Sequence, residues 1–285
     1  MWYDMARNSD SSTRHVLGLS GGKDSAALAI YIKDNYPDIS EKMEYFFTDT
    51  GAELQEVYDT LDRLEAYLGK EIVRLGHGKD FDYWLELHNG YLPSPQQRWC
   101  TRVMKIKPFE KFVGDDPVIS YIGIRADENR EGYISQKETI KAVFPFSEDG
   151  LIRDDIFQIL EDSIGIPEYY EWRSRSGCFF CFFQRQDEWL GLKRRHPELY
   201  EQAVQMEKDV AKRKFNWSTG EVDELGKGYT WNQSGPLEEI VIRAEEREKS
   251  QACSKKSEAR RWQDVLRDDV DDDDPEDQAC LICSL

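Results

Sequence analysis

The feature that most constrains this chain is residues 14–25, which read RHVLGLSGGKDS. A short apolar run containing Val16, Leu17 and Leu19 stops abruptly at a serine and two glycines. An Ala/Leu/Ile-rich run with helical spacing follows at 26–32, so the pattern predicts a strand, a tight turn and a helix N-terminus. Glycine in such a turn lets the backbone approach a ligand without an intervening Cβ. Free amide groups and the helix dipole then favour an anion, of which phosphate is the natural example.

The turn also carries polar side chains suited to an anion. Lys23 adds a positive point charge, and Ser20 and Ser25 add hydroxyl donors. The pattern is not the P-loop GxxxxGK[ST], because Asp24 follows the lysine, and it is not GxGxxG. The SGGKDS turn directly after a strand resembles the PP-loop of ATP pyrophosphatases. The resemblance implies that ATP, with Mg²⁺, is cleaved at its α-phosphate, and that the triphosphate is held by Ser20, Gly21, Gly22, Lys23, Asp24 and Ser25.

Composition favours a polar, soluble chain. The 285 residues are 39% hydrophobic and 33% charged, which is enough for one large α/β domain with extensions. The sequence contains no apolar run of about 18 residues and no apolar segment near its start, so we expect no membrane span and no signal peptide. Six irregularly spaced cysteines do not resemble a disulfide framework, and we therefore expect a cytoplasmic protein.

The net charge of −18 argues against nucleic-acid binding by this chain alone. Residues 268–277 contribute eight acidic residues and no basic one, a composition typical of a disordered, solvated tail. The basic residues form two clusters along the chain, which are Arg98, Arg102, Lys105, Lys107 and Lys111, and Arg173, Arg175, Arg185, Lys193, Arg194 and Arg195. A polyanionic substrate is therefore compatible with the overall acidity.

Further strands are predicted at residues 43–48, 71–75 and 118–123. Between the first two, leucines and valine at spacings of three and four predict an amphipathic helix over 54–68, which Gly69 ends. Strands that alternate with helices predict an α/β fold, a doubly wound and mainly parallel sheet with ligands at the carboxyl ends of the strands.

Helical spacing over residues 186–215 predicts a helical C-terminal extension. His196 precedes a proline there, which is typical of a helix boundary. We divide the chain into a nucleotide-binding α/β domain at 1–165, a helical extension that bears the cysteines at 166–267, and an acidic tail at 268–285.

Asp49, Thr50 and Gly51 follow the second predicted strand, at the same sheet edge as the PP-loop. By position alone, an aspartate there suits equally a contact with ribose or metal and a turn or cap before the next helix. The longer stretch FFTDTGAELQEVYDTL resembles the second-strand motif of the phosphoadenosine phosphosulfate (PAPS) reductase superfamily. The resemblance favours the first interpretation, in which these three residues bind the nucleotide.

Residues 98–108, RWCTRVMKIKP, surround Cys100 with cations, an environment that lowers a thiol pKa and attracts anions. The alternative is a basic solvated helix with one buried cysteine. The stretch is similar to the C-T-x-x-x-K-x-x-P pattern of the same superfamily. That resemblance implies that Arg102 and Lys105 neutralise substrate and leaving phosphates.

The stretch GIRADENR, residues 123–130, follows the fourth predicted strand and also resembles the superfamily. The family more often has serine in place of Asn129. The resemblance implies that Gly123, Arg125 and Arg130 contact the phosphates, although the arginines are also suited to ion pairs with neighbouring acidic residues. Together with the preceding motifs it implies that the catalytic residues are Lys23, Asp24, Arg102 and Arg125.

Cys178 and Cys181 form a CxxC sequence for which three interpretations stay open. They are a redox pair, a zinc site that needs further ligands, and an iron–sulfur cluster that also uses Cys100. RSGCFFC resembles the cluster-binding stretch of the DNA-phosphorothioation PP-loop enzymes of the DndC type. That resemblance implies a 4Fe–4S cluster at Cys100, Cys178 and Cys181, with zinc or plain buried thiols as alternatives.

The combined resemblance implies an ATP pyrophosphatase that adenylates a DNA phosphate oxygen, after which sulfur from a cysteine desulfurase displaces AMP. This is the chemistry of DNA phosphorothioation in bacterial anti-phage defence, with other subunits supplying much of the DNA contact. The alternatives are a sulfonucleotide (PAPS or APS) reductase, a tRNA thiolation enzyme and a nucleotide-sensing subunit without turnover. The final CLICSL does not match the ECGLH sequence of sulfonucleotide reductases, which argues against a reductase.

Overall fold

The structure is a computed structural model that describes residues 1–76, 78–129, 135, 137–212, 215–216, 221–222 and 230–254. The predicted acidic tail therefore lies outside the described residues, as does Arg130. None of the helices in the described ranges combines the length and the hydrophobicity needed to cross a membrane.

A parallel sheet of five strands forms the centre of the described chain, in the order β3-β2-β1-β4-β5. The strands are β1 (Arg14–Gly18), β2 (Met43–Thr48), β3 (Ile72–Leu75), β4 (Val118–Tyr121) and β5 (Ile140–Val143). In register, His15 of β1 lies opposite Met43 on one side and Ile119 on the other. The winding direction reverses between β1 and β4, and in open α/β sheets ligands bind at such a point. The predicted α/β fold with a parallel sheet is confirmed.

Helices surround this sheet and continue beyond it. They are α1 (Trp2–Arg7), α2 (Lys23–Asn35), α3 (Pro37–Ser40), α4 (Gln55–Leu68), α5 (Phe81–Leu87), a π-helix (Thr101–Ile106), α6 (Lys107–Val113), α7 (Pro145–Asp149), α8 (Arg153–Glu161), a 3₁₀ turn (Glu168–Glu171), α9 (Gln186–Arg195), α10 (Pro197–Lys212) and α11 (Leu237–Ser254). A short antiparallel pair, β6 (Phe215–Asn216) and β7 (Glu221–Val222), lies between α10 and α11 in sequence. Helix α9 packs against both α10 and α11.

The core forms where the strands are buried on both faces. Val16 and Leu17 of β1 and Phe46 of β2 are inaccessible to solvent, as expected for parallel strands covered on both sides. Val57 and Leu61, from the predicted apolar stripe of helix α4, are buried in the same core. Burying each such side chain stabilises the fold by about 1.5–3 kcal/mol relative to leaving it exposed. The helix ends at Gly69 in the left-handed conformation, as predicted.

The predicted helical stretch at 186–215 consists of two helices that meet at His196. Pro197 opens α10, because proline is accepted in the first turn of a helix and not in its interior. The His196 imidazole Nε2 lies 2.8 Å from Glu56 Oε1 of α4, which joins the extension to the sheet domain. His196 is therefore a boundary residue, as the sequence indicated.

The three residues of the second basic cluster that lie on α9, Lys193, Arg194 and Arg195, are paired with acidic residues. Lys193 of α9 lies 3.1 Å from Glu245 of α11, and Arg194 makes two hydrogen bonds to Glu248 at 2.8 and 2.5 Å. The carboxylate of Glu248 raises the pKa of Arg194. This face of α9 therefore serves helix packing.

Candidate functional site

The PP-loop connects β1 to α2 as the sequence predicts. Side chains from two later parts of the chain lie so close to its two glycines that no larger residue fits there. Gly21 has φ +70°, and a Cβ there would lie 2.5 Å from Val57 Cγ1 of α4. A Cβ on Gly22 would lie 2.6 Å from Ser176 Oγ. The sequence predicts glycine here because a ligand approaches the backbone. In the structure, side chains of the protein itself also approach these two glycines and leave no room for a Cβ.

The loop serines hold the turn in shape. Ser25 Oγ accepts a hydrogen bond from the Ser20 amide at 3.2 Å and lies 3.2 Å from Ser20 Oγ. Ser20 Oγ in turn accepts a bond from the Gly22 amide at 3.3 Å. The two hydroxyls thus preorganise the backbone that an anion would contact, and their predicted role as phosphate donors stays a prediction.

Two tyrosines from the 3₁₀ turn reach the PP-loop, and sequence reasoning assigned them no chemistry. The Tyr169 hydroxyl donates to the Gly21 carbonyl at 2.6 Å, and the Tyr170 hydroxyl accepts from the Lys23 amide at 2.8 Å. Their exposed fractions are 0% and 5%. Burial, and then the charge of Asp24, raises the pKa of Tyr170 to about 12, so it is a neutral hydroxyl at physiological pH. A separation of 147 residues between the partners leaves no local sequence signal for this contact.

Buried charges surround the N-terminus of α2. Lys23 Nζ lies 2.8 Å from Asp24 Oδ2, and Arg125 Nη1 lies 2.8 Å from Asp24 Oδ1. Burial alone would raise the pKa of Asp24, but the two cations outweigh it and hold that pKa well below its ordinary value. Burial lowers the pKa of Lys23, and the Asp24 charge opposes this. The structure therefore brings together three of the four residues predicted to be catalytic.

Arg125 also contacts two carboxylates of its own loop. Its Nε lies 2.9 Å from Asp127 Oδ1, and its Nη1 lies 2.5 Å from Glu128 Oε1. The ion pairs that the sequence left as an alternative are thus present, and they fix the guanidinium at the end of β4. At the same strand end a Cβ on Gly123 would lie 2.9 Å from the Asp24 carbonyl oxygen, so glycine is required for this approach.

Asp49 shapes the turn that follows β2. Its Oδ1 accepts hydrogen bonds from the Gly51 amide and from the Tyr58 hydroxyl, both at 2.8 Å. Burial, and then the Asp49 carboxylate, raises the pKa of Tyr58. The turn role that the sequence left open is therefore observed, whereas the contact with ribose or metal stays a prediction. Thr50 donates to Glu53 Oε1 at 2.8 Å in the same turn.

Cys100, Cys178 and Cys181 line a common cavity of about 40 Å³ beside this turn. Thr50 and Lys105 also line it, together with aromatic side chains. The thiol Sγ of Cys178 lies 3.2 Å from Thr50 Oγ1 and 3.6 Å from Glu53 Oε1. The structure thus brings the CxxC pair and Cys100 together at one cavity.

The cavity does not make Cys178 an activated thiolate. Burial, and then the Glu53 charge, raises the pKa of Cys178 well above its ordinary value, while Lys105 opposes the shift. In the described part of the chain, no group of three His, Cys, Asp or Glu side chains is arranged to hold a metal ion. The thiols share a cavity without forming a ready metal site, so we derive no step through a cluster, and the 4Fe–4S prediction rests on the resemblance alone.

The basic stretch around Cys100 forms a π-helix rather than an ordinary solvated helix. It spans Thr101–Ile106, buries Val103 and Met104, and leaves Arg102 exposed. Single π-turns often occur at functional sites. Lys105 lies on its cavity side, so this basic residue is oriented towards the thiols.

The family comparison matches the part of the chain that carries the sheet and the PP-loop. Residues 14–146 match the family model of the phosphoadenosine phosphosulfate reductase domain, which supports the PAPS-reductase-like resemblance for this segment. The cysteine-bearing segment and the helical extension lie beyond the match.

Two curated relatives are similar over a longer stretch. The uncharacterized protein MJ0066 of Methanocaldococcus jannaschii is 28% identical over 199 residues, 65% of this chain and 40% of that protein. The uncharacterized protein MJ0973 of the same organism is 26% identical over 263 residues, 87% of this chain and 59% of that protein. The chain thus spans about half the length of these relatives. A crystal structure of the PAPS reductase of Candida auris in complex with phosphate aligns with a TM-score of 0.46 at 12% identity, over 62% of this chain and 85% of that one.

Proposed function

We propose that this chain is an ATP pyrophosphatase that adenylates a nucleic-acid phosphate oxygen and thereby prepares it for sulfur insertion, as in DNA phosphorothioate modification. The observation that carries the proposal is the adjacency of a phosphate loop and a thiol-lined cavity. Ser176 Oγ lies 3.4 Å from Ser20 Oγ of the PP-loop, and two residues later Cys178 Sγ lies 3.2 Å from Thr50 Oγ1. Phosphate activation and sulfur chemistry would therefore occur side by side.

In the first step an acceptor phosphate oxygen attacks the α-phosphorus of ATP. The bond from that phosphorus to its bridging oxygen breaks, and pyrophosphate leaves. Lys23 and Arg125, which pair with Asp24 at the start of α2, would stabilise the charge that develops on the leaving pyrophosphate. Fixed cations are effective there because stabilising phosphate charge is the main catalytic task in such reactions. Mg²⁺ bound with ATP would neutralise further phosphate charge.

In the second step a sulfide-level nucleophile attacks the adenylated acceptor phosphorus. AMP leaves with the original acceptor oxygen, so this displacement itself involves no oxidation or reduction. We propose a cysteine desulfurase as the sulfur donor. Because a desulfurase carries sulfur as a persulfide, an added dithiol first reduces that persulfide by two electrons to sulfide and is itself oxidised to a disulfide. We propose DNA as the acceptor, with other subunits providing most of the DNA contact because the chain has a net charge of −18. The predicted cluster at Cys100, Cys178 and Cys181 has no part in these steps.

The test is product analysis with α-labelled ATP and anaerobically purified protein, with and without DNA and desulfurase. We expect AMP and pyrophosphate. Lys23→Ala should abolish this cleavage, because it removes the buried cation 2.8 Å from Asp24 at the loop, while Lys42→Ala, an exposed lysine after α3, should not alter it. ADP as the product, or normal AMP formation by Lys23→Ala, would refute the proposal.

A second candidate function is reduction of a sulfonucleotide. The family model that matches residues 14–146 favours it, since its description names PAPS reductase. Thioredoxin-dependent release of sulfite from PAPS, without AMP formation from ATP, would establish this function instead.

A further inference from the structure

Residues 168–178 contact both halves of the candidate site, and we refer to them as the bridging segment. At one end Tyr169 and Tyr170 bond the PP-loop backbone. At the other end Cys178 forms a backbone bridge with Glu53, in the turn after β2. The bridging segment, with Tyr169, Tyr170 and Arg173 buried, therefore joins the PP-loop to the cysteine cavity.

The Tyr170 hydroxyl accepts a hydrogen bond from a backbone amide that could otherwise bind a phosphate. The Lys23 amide is the first of α2, and the first four amides of a helix have no acceptor within the helix. These are the donors through which a helix N-terminus binds phosphate. The Tyr170 hydroxyl accepts a hydrogen bond from the Lys23 amide at 2.8 Å, so a phosphate oxygen and this hydroxyl compete for the same N–H.

Arg173 connects the two tyrosines to the loop that carries Cys178. This side chain is 2% exposed and donates to the Gly177 carbonyl at 3.1 Å and to the Cys178 carbonyl at 2.8 Å. Its own amide donates to the Tyr169 carbonyl at 2.9 Å. Buried groups packed this closely transmit displacement rather than absorb it. A shift of the tyrosines therefore changes how the cysteine loop is held.

We infer that Tyr170 is a positioning residue that competes with phosphate for the first amide of α2, and that its displacement by phosphate releases the cysteine loop and makes Cys178 more reactive. The inference uses the proposed function only in taking the PP-loop as a phosphate site. Because coupling between two sites is reciprocal, loosening the Tyr170 contact should both tighten anion binding and expose the thiol.

The first test is the affinity of the full-length chain for inorganic pyrophosphate, measured by calorimetry. Tyr170→Phe keeps the ring and frees the amide, so we expect about fivefold tighter binding, the equivalent of one neutral hydrogen bond. Tyr169→Phe removes the bonds of the Tyr169 hydroxyl to the Gly21 carbonyl and to the Tyr170 hydroxyl but leaves Tyr170 on the Lys23 amide, so it should not tighten binding. Tyr67→Phe, which loses only an exposed bond to Asp34, is the matched control and should leave the affinity unchanged.

The second test is the alkylation rate of Cys178, quantified by mass spectrometry. Saturating pyrophosphate should accelerate alkylation at least about fivefold in the natural sequence, a typical coupling between sites. Tyr170→Phe should alkylate at the fast rate without pyrophosphate. Unchanged affinity in Tyr170→Phe, or a Cys178 rate that pyrophosphate does not alter, would overturn the inference. The affinity and alkylation assays do not require turnover, so they test the inference even if the chain does not cleave ATP. Absence of pyrophosphate binding would overturn both the phosphate site and the inference.

Discussion

Gly21→Ala should destabilise the protein more than the backbone conformation alone explains. At φ +70° a residue with a Cβ costs about 1–2 kcal/mol relative to glycine. The new methyl would lie 2.5 Å from Val57 Cγ1, and Val57 is fully buried in α4 and cannot turn away freely. Forcing an extra methyl into packed surroundings costs about a further 1–3 kcal/mol. We therefore expect a total loss of about 2–5 kcal/mol in the free energy of unfolding.

Gly69→Ala is the matched control, because Gly69 has φ +67° and a Cβ there would meet nothing within 4 Å. It should cost only the backbone part, about 1–2 kcal/mol. Urea unfolding followed by tryptophan fluorescence and circular dichroism gives both values where the two transitions coincide. The double variant Gly21→Ala/Val57→Ala should lose less than the sum of the two single losses, because the smaller side chain makes room for the methyl. Equal losses for the two glycine variants would refute the reasoning.

Two further predictions concern the helical extension. Burial raises the pKa of Glu207 to about 7, so the folded protein prefers the neutral acid. The free energy of unfolding should therefore fall by about 3 kcal/mol as the pH rises from the ordinary pKa of a glutamate carboxyl to about 7. Urea unfolding at pH 5 and pH 8 should show this slope in the natural sequence and not in Glu207→Gln, and parallel profiles would contradict it. Arg194→Ala should cost under about 1 kcal/mol, and less at high salt, because its pair with Glu248 is more than half exposed; a larger loss in melting experiments would contradict this.

The strands and the PP-loop were predictable because each shows its pattern locally. Residues 43–48 form β2 as predicted, and Gly69 ends α4 in the expected conformation. The edge strand Ile140–Val143 was missed, because it is short and its burial is incomplete, so it has no continuous apolar signal. A strand of this kind is defined by its pairing with β4, which the local sequence does not report.

The candidate site was predictable only in part, for a related reason. The motifs identified Lys23 and Arg125, and the fold brings them to one carboxylate. The contribution of Tyr170 depends on a partner far away in sequence, and no periodicity or motif encodes it. The pairing of Lys193 and Arg194 was not predictable either, because their acidic partners on α11 lie more than 50 positions later.

The distance between Tyr170 and Lys23 in sequence also has a consequence for biosynthesis. The contact spans 147 residues, and β1 needs β4, more than 100 residues later, as its neighbour. At about 5–20 residues per second, a ribosome takes on the order of ten seconds to pass from the loop to the tyrosine. Through that interval the nascent loop lacks the hydroxyl that later holds its first amide. The turn between β1 and α2 is therefore completed long after its own residues have been made.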